Sequence, residues 1–239
     1  IDWYLSIGLD MREGWGMTET AGIGTAFYSR EIKKGCVGRA IDGSEVQIAQ
    51  DGEILFRGPG VFCGYLNKPE QTNETIIDGW LHTGDVGQLD NSGNLKITDR
   101  KKDIIITAGG KNISPSEIEN ELKFSAFISD AVVIGDKRKF LSCLIMIDEE
   151  NVMKFAQDHD VPFSNFESLC KSKEIIDLIQ LEVNQVNKKF ANVEQVKKFT
   201  LIDVQLTAED DELTPTMKLK RKFINQKYTN IIEAMYKSA

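Results

Sequence analysis

The sequence is sparing with the residues that build covalent or metal staples. Its four cysteines, Cys36, Cys63, Cys143 and Cys170, lie far apart, with no C-x-x-C pair and no histidine beside them. That spacing argues against structural zinc and reads as reduced, mostly buried thiols. Proline is scarce, five residues in 239, and there is no low-complexity tract, so nothing points to disorder on the scale of a domain. Positive charge is not in excess. The net charge of -8 does not suit a nucleic-acid backbone or an anionic membrane surface, although Lys218, Lys220, Arg221 and Lys222 form a local basic cluster able to meet a phosphate. No apolar run approaches the length that spans a bilayer, and no signal peptide is visible. The expectation is a cytoplasmic protein, with peripheral membrane association left open for the full-length chain. The start, Ile1-Asp2-Trp3 with no initiator Met, points to a piece of something longer.

What is present is an ordinary globular mixture, 41% hydrophobic and 28% charged, long enough for one large or two modest domains. Short β runs fill residues 35–66, with Asp42-Gly43 and Asp51-Gly52 as hairpin turns. Pro69 opens a short helix to about Thr75. Residues 80–98 read as a β-hairpin turning at Asp90–Asn94. Residues 1–99 thus form a mixed, largely antiparallel β module. After a further apolar run, Ile104–Thr107, the segment Ser114-Pro115-Ser116-Glu117 starts a helix with a capping box, its inner face Ile118 and Leu122. Ala131–Ile134, Leu141–Ile147 and Phe199–Val204 read as strands. Asn151–Asp158, Ser172–Phe190 and a final stretch to about Tyr236 read as helices. The acidic run Glu209–Glu212 reads as solvated surface. The fold class is α+β, a β-rich portion followed by a small α+β domain with a short sheet and packed helices.

Four segments carry polar residues where a fold alone does not need them. They are GWGMTET (residues 14–20), GWLHTGD (79–85), ITDRKKDIIITAGGKNISPSEIE (97–119) and LTPTMKLKR (213–221). Each has a plain reading by itself: a turn around a buried Trp, a strand-end Asp, a solvated charged turn, a tight turn before a helix, a basic helix start. His82 has no evident acid–base partner in sequence and reads as structural.

Their order and spacing together resemble the later core motifs of the adenylate-forming superfamily, which includes acyl-CoA synthetases, luciferases and peptide-synthetase adenylation domains. The match runs from about Gly14 to Arg221. The TPTMKLKR form and RGPGVFCGYLNKPEQT (residues 57–72) look most like long-chain fatty acyl-CoA synthetases, including the bubblegum branch. The resemblance implies an enzyme that joins a fatty acid to ATP, releases pyrophosphate, and passes the acyl group to coenzyme A with release of AMP. It implies a boundary at 101/102, between the end of a large adenylation domain (1–101) and a small mobile C-terminal domain (102–239).

It also implies roles, residue by residue. Trp15 stands where the family has an aromatic on the adenine, Gly16 lies in the same loop, and Thr18 matches the residue that reaches the α-phosphate. Glu19 matches the Mg²⁺ carboxylate, a hard-cation ligand. Asp85 matches the carboxylate that accepts from the ribose hydroxyls, and Arg100 the arginine on ribose and phosphate. Lys102 falls at the hinge position. Gly109 and Gly110 match the loop lining the pantetheine channel. Lys218 matches the catalytic lysine that offsets charge at the α-phosphate, with Met217 in place of the family's glycine; Lys220 takes that role if the alignment slips by a turn. The family's Ser/Thr/Gly-rich phosphate loop is not in these residues, so this chain alone is expected not to form acyl-adenylate. Two other products of the same scaffold stay open: a fatty acyl-AMP ligase that delivers to a carrier protein, and a non-catalytic nucleotide-binding module.

Overall fold

The computed structural model describes residues 2–28, 32–204, 212 and 220–237. The chain divides into two compact units, residues 1–103 and 104–239. Together they make an α+β protein.

The first unit opens with α1 (Asp2–Ser6) and a small ribbon in which β1 (Thr25–Ala26) pairs antiparallel with β2 (Arg39–Ala40). Its main sheet is built from β3 (Glu45–Ile48), β4 (Glu53–Arg57), then, after α2 (Pro69–Thr75), β5 (Ile76–Ile77), β6 (Trp80–Leu89) and β7 (Leu95–Arg100). The order is β3-β4-β6-β5, with β7 also on β6, and every pair is antiparallel. The Asp51-Gly52 turn closes the β3–β4 hairpin, and Gly52, at φ 88°, takes the left-handed conformation that glycine adopts without strain. The Asp42-Gly43 turn joins no hairpin, because β2 and β3 belong to different sheets. Trp15, Ile54, Phe56, Leu81 and Leu95 form the core. Alternation along β6 buries Leu81, Thr83, Asp85 and Gly87 in turn, so the apolar face becomes polar partway along one strand.

The second unit begins with a two-strand hairpin, β8 (Ile105–Ile106) with β9 (Asn112–Ile113), followed by α3 (Pro115–Leu122). Next come β10 (Ile128–Ile134), β11 (Leu141–Ile147), α4 (Glu149–Asp158), α5 (Phe166–Lys171), α6 (Lys173–Asn187), β12 (Val196–Leu201), α7 (Arg221–Lys227) and α8 (Thr229–Lys237). The sheet runs β10-β11-β12, antiparallel then parallel. Every residue of β11 is buried because both its faces are covered, which is why it reads as an unbroken apolar run. Ala131, Val133, Cys143 and Ile145 pack with Ile118, Leu122, Ile175 and Ile179 of α3 and α6. Val132, Leu144 and Met146 pack on the opposite side with Ile224, Ile232 and Met235 of α7 and α8.

Several boundaries differ from the sequence reading. Ser114 is the N-cap of α3 by backbone geometry but lacks the side-chain cap that a capping box requires, and Pro115 presets the first turn. The last strand begins at Val196, three residues early, where Val196 N–H donates to Asn187 Oδ1 (2.9 Å), and it ends at Leu201. The final helix is two, broken at Tyr228, and Thr229 Oγ1 donates back to the carbonyls of Asn225 and Gln226. Glu212 is 1% exposed rather than solvated. It pairs with Lys227 and accepts from the Lys220 backbone N–H at 2.7 Å. Residues 209–211 of that acidic run lie outside the described residues.

Candidate functional site

Three of the sequence-predicted residues meet in the first unit. Asp85 sits on the buried face of β6, opposite Arg100 at the end of β7. Its Oδ1 is 3.1 Å from Arg100 Nε, and its Oδ2 accepts from Trp15 Nε1 at 2.9 Å. A carboxylate oxygen has two lone-pair directions, so each oxygen keeps room for one more donor, such as a hydroxyl. The Arg100 side chain is 62% exposed, so its guanidinium fork has freedom to reach a second anion. Trp15 is a core residue. It is 8% exposed and lies edge-on to Phe56. It packs so tightly over Gly24 that a β-carbon there would stand 2.6 Å from the indole. An open aromatic platform for adenine is therefore not what the structure displays; the indole instead orients Asp85.

The loop that follows Trp15 is folded on itself. A β-carbon on Gly16 would stand 2.3 Å from the carbonyl oxygen of Gly22, so the close approach that glycine permits here is between two parts of the same loop. Thr18 opens a 3-10 turn, Thr18–Thr20, and is exposed. Buried Thr20 accepts from the Met17 N–H (2.9 Å). Glu19 Oε1 accepts from the Tyr65 hydroxyl at 2.6 Å. The Glu19 carboxylate pushes the Tyr65 phenol above its ordinary value, which keeps it protonated and donating. Among the described residues, no group of three or more His, Cys, Asp and Glu could hold a metal. A single carboxylate fits Mg²⁺ only if phosphate oxygens and water complete the shell, which is how Mg²⁺ is commonly held.

Beneath this grouping lies a cluster absent from the sequence reading. Glu53, the first residue of β4, is 4% exposed. Its Oε1 accepts from Gly84 N–H (2.9 Å), and its Oε2 faces both Lys101 Nζ (2.9 Å) and His82 Nδ1 (3.0 Å). Asp51 holds the same Lys101 ammonium at 2.7 Å. Burial would push the Glu53 carboxyl up, but the Lys101, His82 and Gly84 hydrogen bonds outweigh it and hold it below the usual value of 4.5. His82, read as structural from the sequence, does have an acidic partner in Glu53. The available signal was a carboxylate opening a strand whose next residues, Ile54-Leu55-Phe56, are apolar.

The remaining predicted residues are placed separately. Lys102 is exposed in a 3-10 turn, Lys101–Asp103, that ends the first unit. In the second unit Gly109 and Gly110 are exposed at the tip of the β8–β9 hairpin. Gly110, at φ 75°, closes that turn with its N–H on the Thr107 carbonyl (2.8 Å). Lys218 lies outside the described residues. Three residues beyond it, Arg221 is bound twice to the Glu119 carboxylate, at 2.8 Å each, and donates to the Val133 carbonyl at 2.9 Å.

A carboxylate held between an indole and an arginine thus lies in a β-rich unit, and a small α+β unit follows it in the chain. Residues 102–239 match the family model of the AMP-binding enzyme C-terminal domain, and the chain belongs to that family. It is 40% identical to the long-chain-fatty-acid–CoA ligase FadD15 of Mycobacterium bovis, over 98% of this chain and 39% of that protein. It is 34% identical to the long-chain-fatty-acid–CoA ligase ACSBG2 of Gallus gallus, over 100% of this chain and 34% of that protein. The chain therefore spans between a third and two fifths of the length of these curated relatives. Among solved structures it is similar to O-succinylbenzoate coenzyme A synthetase of Bacillus subtilis in complex with ATP and magnesium. There the TM-score is 0.67 at 27% identity, covering 92% of this chain and 42% of that one. Among the described residues no helix is long and apolar enough to cross a membrane.

Proposed function

We propose that this chain is part of an ATP-dependent long-chain fatty acyl-CoA synthetase, one that activates its fatty acid as an acyl-adenylate and then transfers it to coenzyme A. The observation that carries the reading is the Trp15–Asp85–Arg100 set, a carboxylate fixed by an indole and backed by an exposed arginine. Asp85 accepts from the ribose hydroxyls and so fixes the sugar. Arg100 reaches the phosphate side, where its permanent charge offsets the anion. Thr18 adds a hydroxyl to the α-phosphate. Glu19, oriented by Tyr65, is the ligand for Mg²⁺, which when bound neutralises phosphate charge. Lys218 carries the cation toward the carboxylate and α-phosphate of the adenylation step, and Glu119 fixes Arg221 just beyond it. Gly109 and Gly110 leave the backbone bare for the pantetheine arm of coenzyme A.

In the same reading the domain boundary falls at 101/102 and Lys102 is the hinge. What supports this is that the compact units part after Asp103 and the family model begins at residue 102. The long-chain fatty acid as substrate is supported by the names of the curated relatives.

Calorimetry with AMP on the full-length protein tests the reading. Binding is expected, and Asp85→Ala should weaken it by about tenfold or more, the worth of a hydrogen bond to a charged group. Equal affinity in parent and variant would contradict it.

A further inference from the structure

Strand β6 does not run straight past β4. Glu53 lies opposite Val86, but Leu55, only two residues on, lies opposite His82. Two extra residues are therefore taken up in β6, and the surplus falls at Thr83-Gly84-Asp85. Gly84 sits there at φ 71°, a left-handed conformation that suits a bulge. Because the surplus is two residues, the alternation of faces survives it and Asp85 stays on the buried face; what the bulge sets is where Asp85 stands relative to β4. Two hydrogen bonds hold the bulge down. Thr83 Oγ1 donates to the Ile54 carbonyl (2.7 Å), and Gly84 N–H donates to Glu53 Oε1 (2.9 Å). The same Glu53 carboxylate binds Lys101, which follows Arg100 directly. One buried carboxylate thus touches the residue before Asp85 and the residue after Arg100.

We propose that Glu53 is a positioning residue for the nucleotide grip: it fixes the bulge that places the Asp85 carboxylate for the ribose and ties the Arg100 end of β7 into the same frame. The inference rests on reading Asp85 as the ribose carboxylate. Glu53 touches no substrate. It acts by keeping Asp85 where a hydroxyl finds it, so its effect must depend on that hydroxyl being present.

The test is a cycle between protein and substrate. Fatty-acid-dependent ATP–pyrophosphate exchange is measured on the full-length protein with ATP and with 2′-deoxy-ATP, and the ratio of the two kcat/KM values is compared among variants. Asp85→Ala should collapse the ratio. Glu53→Ala should lower it about tenfold, and Glu53→Gln about threefold, because the amide still accepts from Gly84 N–H but offers Lys101 no charge. A merely structural role lowers both substrates together and leaves the ratio alone. A ratio that falls with Asp85→Ala but holds in the Glu53 variants overturns the inference and leaves the ribose reading standing. A ratio that holds even in Asp85→Ala overturns both. Should Glu53→Ala fail to fold, the isosteric Glu53→Gln decides alone, and an unchanged ratio there overturns the inference.

Discussion

At the scale of single residues, the chemistry follows from what each carboxylate faces. Glu53 and Asp51 share the Lys101 ammonium. Lys101 holds both carboxyls below their ordinary values of 4.5 and 3.8, and they in turn hold its ammonium above 10.5. The signs are opposite for the two kinds of group. A depressed carboxyl adds stability above its unfolded value and loses it as pH falls through the folded one; a raised lysine adds stability below 10.5 and loses it as pH rises through its folded value. The cluster should therefore hold its full contribution across neutral pH and lose it on both flanks. Urea unfolding of Glu53→Gln across a pH series should show a shallower loss of stability below 4.5 than the parent, and parallel curves would exclude the cluster as a source of acid sensitivity. The thiols are as easily separated. Cys36, Cys143 and Cys170 are buried and Cys63 is exposed. Burial pushes the Cys143 thiol well up and the Cys170 thiol up to about 12. One thiol, Cys63, should react quickly with a thiol reagent at neutral pH in the folded protein, and all four after denaturation.

At the scale of elements, α3, β10 and α7 are pinned by one pair, the buried Glu119 and the part-buried Arg221. Glu119 Oε1 accepts from the Val133 N–H at 2.7 Å, and both its oxygens accept from Arg221. Removing Glu119 leaves the Arg221 charge only partly covered and the Val133 N–H without its acceptor. Glu119→Ala should therefore cost about 2 kcal/mol in urea unfolding, more than loss of an exposed ion pair. Less than about 1 kcal/mol would show that the pair is not a structural clamp. This element level is also where the sequence was most and least informative. β11 was legible because burial on both faces leaves a run of apolar residues, Leu141–Ile147, that no solvated segment tolerates. The helix stripe Ile175, Ile179, Val183 was legible for the same reason at helical spacing. The start of β12 was hidden because it is set by Asn187, nine residues earlier. The β6 bulge was hidden too, since a register shift depends on a partner strand. Of the candidate site, Asp85 and Arg100 were legible through their motifs. Glu53 was not, because its importance lies in three contacts with residues 29 to 48 positions away.

At the scale of the whole molecule, each unit has its own core: Trp15, Ile54, Phe56, Leu81 and Leu95 in one, and the two-sided sheet β10–β12 in the other. Such independence is what a division of labour needs. In the proposed function the first unit grips the nucleotide through Asp85 and Arg100, and the second carries Lys218 and the Gly109-Gly110 turn. In that proposal Lys102, one residue before the end of the first unit, is the hinge. The most direct measurement is fatty-acid-dependent ATP–pyrophosphate exchange by the full-length protein, beside thioester formation from a supplied acyl-adenylate. The parent should catalyse both with a long-chain fatty acid. Lys218→Ala should lower the exchange by about a hundredfold or more, the scale of losing one transition-state contact, and leave the thioester step largely intact. Undiminished exchange in Lys218→Ala, or no exchange by the parent with any fatty acid, would contradict the account.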